Sequence, residues 1–340
     1  MSFILNKKAA LTDGGAQQYR QIEELRRIAI NQNKHLQTLT TNAIPDLAPK
    51  AWLEMDNTTV QLIGQEADVI YQDLMPLSKS VGIGTLVSAY RRLGAMDAGE
   101  VSLSGQTTKL MGQVADDYDG VVIPIHSKSF GFQWREFEGK RQLPYDIVAE
   151  NQAAATREVI RLMTNTIMVG NPGINYQGFG SYGIRTSPNT LKVVLGADFT
   201  APATTFEAMD TALGNFLYNV RGPNNRVVQN GTLYISSEIE KNWGRRTGPL
   251  TTDQTYMAAL GQTPGVSEIK TSLELSGNEM LFIIRSTQFI QPITGMAVTN
   301  TPIPRLVPMA DYHYLTWSAM GLAIKADQDG RTGVLLGTAS

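Results

Sequence analysis

Between residues 146 and 169, hydrophobic and polar positions alternate with the period of one long amphipathic helix. In this segment, DIVAENQAAATREVIRLMTNTIMV, apolar side chains recur at three- and four-residue steps, with charged side chains largely between them. Asp146 is a good N-cap, because its carboxylate can accept hydrogen bonds from free N–H groups of the first turn. Gly170 and Pro172 end the helix, since glycine tolerates a left-handed C-cap and proline cannot continue a helix. We expect a helix about 36 Å long that packs its apolar face on a sheet.

Two different patterns flank this helix. Before it, the run SFGFQWREFEGKRQLPYD predicts a strand in which Phe130, Phe132 and Trp134 share one face. After it, GNPGINYQGFGSYGIRTSPNT has neither helical nor strand period and predicts a glycine-rich loop.

The first 48 residues predict an arm. After the flexible TDGG, the run AQQYRQIEELRRIAINQNKHLQTL can form a helix with a narrow apolar stripe at Tyr19, Ile22, Leu25, Ala29 and Leu36. Because so narrow a stripe buries little area by itself, we expect this helix to dock on the rest of the subunit or on a neighbour.

Residues 78 to 142 form a long excursion with short β-favouring runs, many glycines and no long helix of its own. Long loops inside compact domains are usually functional or disordered, and the β-branched and aromatic runs argue against disorder. We expect an extended β-hairpin that projects from the body.

The second half of the chain mixes helices and strands without regular alternation, which predicts the α+β class. Residues 204–207 and 237–240 have the capping-box spacing that opens a helix. Asn230 and Gly231 lie between two β-favouring runs and predict a hairpin turn. MLFIIRS and LVPMADYHYLTWSAMGLAIKA predict strands, and we expect the final strands to return to the sheet beneath the long helix.

Composition and charge limit the function. The 340 residues include 31 acidic and 29 basic side chains, for a formal net charge of −2. A protein that grips nucleic acid by its phosphates needs a basic surplus or a clustered basic face, and the sequence shows neither. Charged residues make up 18% of the chain, below the roughly 25% of an average soluble domain. Since interfaces are depleted of charge, this predicts much surface facing other chains, with compositional drift as the alternative.

The absence of cysteine excludes disulfides and thiolate metal sites. No segment approaches the roughly 20 apolar residues of a membrane span. The N-terminal MSFILNKKAALTDGG places its apolar patch before its lysines, the reverse of a signal peptide. We therefore expect a cytoplasmic chain before any assembly.

Candidate chemistry is sparse. Gly178, Gly180 and Gly183 satisfy the dinucleotide pattern on paper, but that site needs a strand before it and a helix after it, and a loop is favoured here. His35, His126 and His313 are isolated, so a zinc site or catalytic triad would require distant residues to converge.

The acidic run ADDYDG, with Asp116, Asp117 and Asp119, lacks calcium-loop spacing, and a solvated turn is favoured over a metal site. The sequence therefore predicts no catalytic, cofactor-binding or metal residue.

The order of strand, short basic turn, long helix and glycine-rich loop resembles the tailed-phage major capsid fold, the Hong Kong 97-like fold, which encapsulin nanocompartments share. The local resemblance covers about residues 115 to 185, where GNPGINYQGF is similar to the segment that follows the spine helix in that family. Elsewhere only the order of elements and the general composition agree.

The resemblance implies an α+β fold with a long spine helix, an extended β-hairpin loop and a second, axial lobe. It predicts the following division: an N-terminal arm at 1–48, the start of the peripheral domain at 49–77, the extended loop at 78–142, the spine helix and peripheral domain at 143–195, the axial domain at 196–302, and return strands of the peripheral domain at 303–340.

The resemblance further implies a non-enzymatic major capsid protein, without cofactors, that self-assembles as hexamers and pentamers into the icosahedral shell around a phage double-stranded DNA genome. Implied partners are copies of itself, with scaffold, portal or decoration proteins as further candidates, weak and non-specific contact with packaged DNA, and no membrane. The implied location is the virion, and the host cytoplasm before assembly. An encapsulin shell that encloses a cargo enzyme is the alternative, and a nucleotide-binding oxidoreductase that uses the GFGSYG loop is a more distant one.

The assembly residues that the resemblance implies lie on or near the extended loop. We expect Phe130, Phe132 and Trp134 on the apolar face of its return strand and Glu136, Lys140 and Arg141 at its hinge. Arg91, Arg92 and Asp117 would lie on the projecting part, where they could meet opposite charges on a neighbour. The alternative is that they are ordinary exposed charges.

Overall fold

The structure of the protein is a computed structural model that describes residues 23, 24, 26, 27, 67–96, 101, 103, 104, 114, 116–140, 147–245 and 255–339, with the backbone alone at 140 and 147. The chain divides into two units, residues 1–61 and 62–340. The described residues of the first unit are helical and exposed. The apolar stripe predicted for the arm lies outside the described residues.

The helices of the second unit are α1 (Val69–Leu74), α2 (Trp134–Lys140), α3 (Ile147–Met168), α4 (Phe206–Arg221), α5 (Ser237–Trp243) and α6 (Tyr256–Leu260), with a short 3-10 turn at Met75–Leu77. The strands are β1 (Lys79–Ser80), β2 (Val87–Leu93), β3 (Asp116–Val122), β4 (Ile125–Phe132), β5 (Gly170–Tyr176), β6 (Phe179–Tyr182), β7 (Leu191–Val194), β8 (Gly231–Ile235), β9 (Val266–Thr271), β10 (Met280–Ile283), β11 (Ile290–Ile303), β12 (Tyr312–Ile324) and β13 (Val334–Thr338).

The long helix α3 confirms the prediction from the apolar period. Its 22 residues span about 33 Å at roughly 1.5 Å per residue. One face of the helix is buried. Its residues recur at four-residue steps: Ala155, Val159, Met163 and Ile167. Gly170 follows the helix with a φ of +71°, and a Cβ there would lie 2.4 Å from the backbone nitrogen of Gly183. Glycine is therefore required at this close approach. The predicted N-cap at position 146 lies outside the described residues.

A four-stranded sheet in the order β1-β11-β12-β4 supports this helix. β11 and β12 form a long antiparallel hairpin, and β4 pairs antiparallel with β12 from Tyr312 opposite Phe132 to Ala319 opposite Ile125. Met320 and Leu322 on β12 share one buried cluster with Val159 and Met163 of the helix. The burial of this apolar face, rather than helix propensity alone, stabilises a helix of this length.

The second large sheet has five strands in the order β7-β13-β10-β8-β9. Alternate residues of β8 enter two different cores: Leu233 and Ile235 pack with α4, while Tyr234 packs with α3 and β12. A strand has a side-chain period of two, so a strand buried on both faces carries a continuous apolar run. The two sheets therefore share a core through the inner face of this sheet.

The final strands only partly follow the prediction. β12 lies in the sheet beneath α3, as expected. β13 instead lies in the five-stranded sheet, parallel to β7 and antiparallel to β10. The division of the chain into arm, peripheral domain, extended loop and axial domain stays a prediction.

The sequence predicted a loop for the glycine-rich segment after α3. The structure instead shows the hairpin β5–β6. Its turn consists of Gln177 and Gly178, with φ values of 53° and 87°. Two consecutive left-handed residues form the tight turn whose twist suits a hairpin. β5 is exposed along nearly its whole length, so its sequence carries no alternation between apolar and polar positions.

The prediction of a hairpin turn at Asn230 and Gly231 is wrong. Residues 226–230 form no strand, and Gly231 begins β8, which pairs with β9 and β10. A Cβ on Gly231 would lie 2.6 Å from the ring of Phe282. The glycine therefore serves strand packing rather than a turn.

Both predicted helix starts are displaced by one residue. Thr205 Oγ1 accepts a hydrogen bond from the backbone N–H of Ala208 at 3.3 Å and caps α4. Ser236 Oγ accepts from Ile239 at 3.2 Å and caps α5. The capping-box glutamates therefore lie one position away from the third helical residue.

None of the described helices is both long and apolar enough to cross a bilayer. Within the described ranges, no three His, Asp or Glu side chains converge into a group that could hold a metal ion.

Candidate functional site

The hairpin β2–β3 lies inside the segment predicted to project from the body. Its strands pair from Val87 opposite Val122 to Leu93 opposite Asp116. Because side chains alternate across a strand, one face holds buried Ser88 and Val121 against the body. The other face is covered at one end, where Val122 is buried, and is exposed at the other. The exposed face carries Arg91, Leu93 and Tyr118. We call this the outer hairpin face, defined by Arg91, Leu93, Asp116 and Tyr118.

The charged residues of this hairpin pair with one another. Arg91 Nε lies 2.6 Å from Asp116 Oδ1, and Arg92 Nη2 lies 2.5 Å from Asp117 Oδ2. The hydrogen bond from Arg92 lowers the pKa of the Asp117 carboxyl below its ordinary value. The predicted acidic turn is thus a strand. The structure brings Arg91, Arg92 and Asp117 together within one subunit, and their contact with a neighbour stays a prediction.

A polar junction fixes the root of the hairpin to the body. Tyr90 Oη donates a hydrogen bond to Asp119 Oδ2 at 2.9 Å. Asn189 Nδ2 donates to the same carboxylate oxygen at 3.1 Å and to the carbonyl of Ile324 at 2.9 Å. Burial, and then the negative charge of Asp119, raise the pKa of the Tyr90 phenol. We call these four residues the hairpin anchor.

Close packing accompanies this anchor. A Cβ at Gly120 would lie 3.2 Å from the ring of Phe179 on β6 and 3.2 Å from the carbonyl of Ser88. Since that distance is tighter than ordinary van der Waals contact, the two hairpins touch at the anchor. Sequence reasoning missed the anchor, because Asn189 lies 70 residues from Asp119 and no local pattern connects them.

Phe130 and Phe132 share one face of β4, with ring centroids 6.2 Å apart. Phe130 stacks on Tyr314 at 5.1 Å, and Phe132 lies 5.8 Å from Phe137 of α2. The strand that carries them pairs with β12, whereas β3 pairs with β2. The role of Phe130 and Phe132 on the return strand of an extended loop stays a prediction.

Trp134 is not part of that strand. It opens α2, where its backbone N–H donates to Asp311 Oδ1 at 3.1 Å. The side chain of Asp311 thus satisfies a first-turn N–H that has no partner within the helix. Glu136 lies in the first turn of α2, and position 140 ends the helix. The side chain of Lys140 and the whole of Arg141 lie outside the described residues, so the hinge role of these three stays a prediction.

The connection between β11 and β12 exposes a cluster of apolar side chains. Leu306 is 96% exposed, and Ile303, Val307 and Met309 are also exposed. The guanidinium of Arg305 lies 4.0 Å from the ring centroid of Tyr312 and holds one side of the turn. We call Ile303, Leu306, Val307 and Met309 the apolar tip. The sequence signal was four apolar residues among three prolines in TPIPRLVPMA, which sequence reasoning did not use.

Gly178 and Gly180 of the dinucleotide pattern lie in the β5–β6 hairpin, and Gly183 directly follows it. A helix precedes this hairpin, and the next described helix, α4, begins only at Phe206. A pyrophosphate site needs a strand, a tight turn and a helix N-terminus in direct succession, and these glycines are not in that arrangement.

Residues 40–337 match the family described as "Family of unknown function (DUF6260)". The chain belongs to this family. No protein of curated function matches the DUF6260 chain.

Solved structures resemble the DUF6260 chain over most of its length. The capsid of Myoviridae phage XM1 superposes with a TM-score of 0.65 at 10% identity, covering 88% of this chain and 100% of that one. The capsid of a native GTA particle gives 0.57 at 12% identity, covering 85% and 95% of the two chains. A virus-like particle from Pyrococcus furiosus gives 0.52 at 13% identity, covering 80% and 92%. The DUF6260 chain therefore has the Hong Kong 97-like capsid fold that the sequence predicted.

Proposed function

We propose that this chain is a major capsid protein that self-assembles into the icosahedral shell around a phage double-stranded DNA genome. One observation carries the proposal: the fold matches the capsid of phage XM1 across that whole chain. A shared fold does not by itself imply a shared function. The surfaces of this particular subunit must therefore support assembly.

The outer hairpin face offers the first assembly surface. Tyr118 is 63% exposed and Leu93 is 50% exposed, and the pair of Arg91 with Asp116 lies beside them. Interface centres are enriched in tyrosine and arginine, which combine large contact area with hydrogen bonding. Because the internal charges already neutralise each other, this face can be covered by a neighbour without leaving an uncompensated charge.

The apolar tip offers the second surface. A leucine that is almost fully exposed costs free energy in water, and its burial contributes about 25 cal/mol per Å² of apolar area. The tip lies on a connection at one end of the four-stranded sheet, whereas the outer hairpin face lies on a separate element. Two different surfaces on one subunit suit heterologous contacts, which generate closed rings such as hexamers and pentamers.

The role we propose is structural and not catalytic. The chain acts with copies of itself, and scaffold, portal or decoration proteins are candidate partners. The formal net charge of −2 suits an inner wall that contacts packaged DNA weakly and without sequence preference. The proposed location is the virion, preceded by the host cytoplasm.

Electron microscopy of the purified recombinant protein, with its sedimentation profile, tests this proposal. Closed shells or capsomer rings would support it, and double-stranded DNA in shells from infected cells would favour a phage capsid over an encapsulin shell with a protein cargo. A persistent species near the 37.2 kDa subunit mass, even when the neighbouring phage structural proteins are co-expressed, would contradict it.

A further inference from the structure

A cleft of about 380 Å³ lies where four segments of the second unit meet. Strand β2 contributes residues 90–93, the turn after α4 contributes residues 225–227, the segment before β11 contributes residues 288–289, and the segment between β12 and β13 contributes residues 325–327 and Arg331. The cleft is large enough for a small oxyanion with several of its waters, since one water occupies about 30 Å³ in the liquid.

The charged side chains of the cleft are mostly cationic. One carboxylate, Asp327, lines it, against the cationic side chains of Arg91, Arg92, Arg226, Lys325 and Arg331. Three of these cations already have partners, because the two hairpin arginines pair with Asp116 and Asp117, and Arg331 lies 3.1 Å from Asp329. Arg226 and Lys325 form no ion pair with any residue that the structure describes.

The turn that holds Arg226 is rigidly attached to the opposite wall. Asn225 Nδ2 donates to the carbonyls of Val220 at 2.9 Å and of Thr332 at 2.8 Å, and Asn225 Oδ1 accepts from the N–H of Thr332 at 2.9 Å. This buried amide fixes Arg226 at the cleft next to the segment that carries Arg331. The backbone of Arg226 has a φ of +57°, which residues other than glycine, asparagine and aspartate rarely adopt.

The other cation, Lys325, is partly buried, and both of its hydrogen-bond acceptors are neutral. Its Nζ donates to the carbonyl of Thr287 at 2.8 Å and to Gln291 Oε1 at 2.7 Å. Burial, and then the positive charge of Lys79, lower the pKa of this ammonium group. A bound anion would offset that penalty.

We propose that this cleft binds a phosphate group, with Arg226 and Lys325 supplying the charge. A phosphate group has the charge and the acceptor oxygens for which arginine and lysine are suited. Two sources share this chemistry: free inorganic phosphate and the backbone phosphates of nucleic acid. All ligating groups come from one chain, so the site does not depend on shell assembly.

The test is isothermal titration of the full-length protein with sodium phosphate, and separately with a short DNA duplex, against sodium chloride of equal ionic strength. Two variants remove the cations. Arg226→Asn suits the left-handed backbone, and Lys325→Gln keeps hydrogen-bonding capacity. Lys192→Gln, an exposed position on β7 outside the cleft, is the matched control. Thermal unfolding in chloride shows which variants remain folded.

We expect saturable phosphate binding that weakens about tenfold or more in each cleft variant, as loss of a charge-assisted hydrogen bond predicts, and that is unchanged in Lys192→Gln. If binding of the duplex weakens in the two cleft variants while binding of free phosphate does not, the site is assigned to nucleic-acid phosphates. The proposal would be overturned if both probes bound equally to wild type, cleft variants and control. It would also be overturned if neither probe released more heat than chloride. If Lys325→Gln fails to fold, phosphate binding by the Arg226→Asn variant, whose substitution lies at an exposed position, tests the proposal by itself.

Discussion

Tyr90 and Asp119 lie directly opposite each other across the β2–β3 ladder, and the phenolic oxygen of Tyr90 donates to the carboxylate at 2.9 Å. Asn189 donates to the same carboxylate oxygen from outside the hairpin. One carboxylate thus joins the two strands of the hairpin to each other and to the body. These partly buried hydrogen bonds therefore hold the hairpin in place against the body.

The anchor predicts a measurable cost for removing Asn189. We expect Asn189→Ala to destabilise the isolated subunit by about 1–3 kcal/mol, because Asp119 and the carbonyl of Ile324 lose a partly buried donor. Tyr90→Phe should cost about 1 kcal/mol. Urea unfolding measures both. Tyr176→Phe, on exposed β5, is the control and should leave the midpoint unchanged. Equal midpoints for all three variants would show that the anchor contributes nothing.

The outer hairpin face predicts a defect in assembly without a defect in folding. Tyr118→Asp places a charge at the centre of the proposed contact, so we expect shells or rings to be lost while the subunit unfolds at its normal temperature. Tyr218→Asp is a matched control, since Tyr218 on α4 is exposed to the same 63%. Sedimentation and thermal unfolding separate the two effects. Normal assembly of Tyr118→Asp would remove this face from the interface.

A leucine-to-alanine substitution should have opposite effects at the apolar tip and in the core. Leu306→Ala should leave the unfolding free energy of the subunit within about 0.5 kcal/mol of wild type, while reducing assembly. Leu322→Ala, at a buried position under α3, should destabilise the subunit by about 2–5 kcal/mol through cavity formation. Denaturant titration and sedimentation measure the two quantities. A large loss of stability in Leu306→Ala would place the tip against its own subunit.

His126 predicts a dependence of stability on pH. Its Nε2 lies 2.7 Å from Thr166 Oγ1, and that hydroxyl donates to the carbonyl of Leu162 at 3.0 Å, so Nε2 must carry the proton in this contact. Burial lowers the pKa of the imidazole, and Nδ1 has no partner among the described residues. Protonation of the folded state is therefore disfavoured relative to the unfolded state.

The sign follows from linkage. The unfolded chain takes up the proton first, near pH 6.5, so stability is constant above that pH and falls as the pH decreases towards the lower pKa of the folded state. The slope is at most about 1.4 kcal/mol per pH unit. We expect His126→Gln to reduce the loss between pH 8 and pH 5 in urea titrations, and His313→Gln, at an exposed position, to retain it. Parallel curves for wild type and His126→Gln would contradict this assignment.

The sequence predicted those elements whose burial leaves a local pattern. The long helix was found because Ala155, Val159, Met163 and Ile167 repeat at four-residue steps and face one core. The apolar run MLFI of β10 was found because both faces of that strand are buried. The resemblance to the capsid fold rested on the region around the long helix and not on β10.

The remaining errors arise where local chemistry is ambiguous. β5 is solvated on both sides and therefore lacks a strand period. Trp134 follows two aromatic residues of a strand, but the side chain of Asp311, 177 residues away, accepts from its backbone N–H and starts a helix. The anchor joins Asn189 to Asp119, 70 residues apart, and the phosphate cleft joins β2 to residues that follow α4 and β12; only the folded chain brings those side chains together.

The position of β13 has a consequence for biosynthesis. This strand lies between β7 and β10 in the five-stranded sheet, so on the ribosome the sheet stays divided until residues 334–338 have emerged. Until then β7 lacks the strand that pairs with it among the described residues, and Leu335 and Leu336, which enter one core each, are missing. Pairing between distant segments is slow because the connecting chain must first be ordered. A nascent subunit therefore lacks a complete five-stranded sheet, and in the assembly that we propose such a subunit cannot present a finished body to its neighbours.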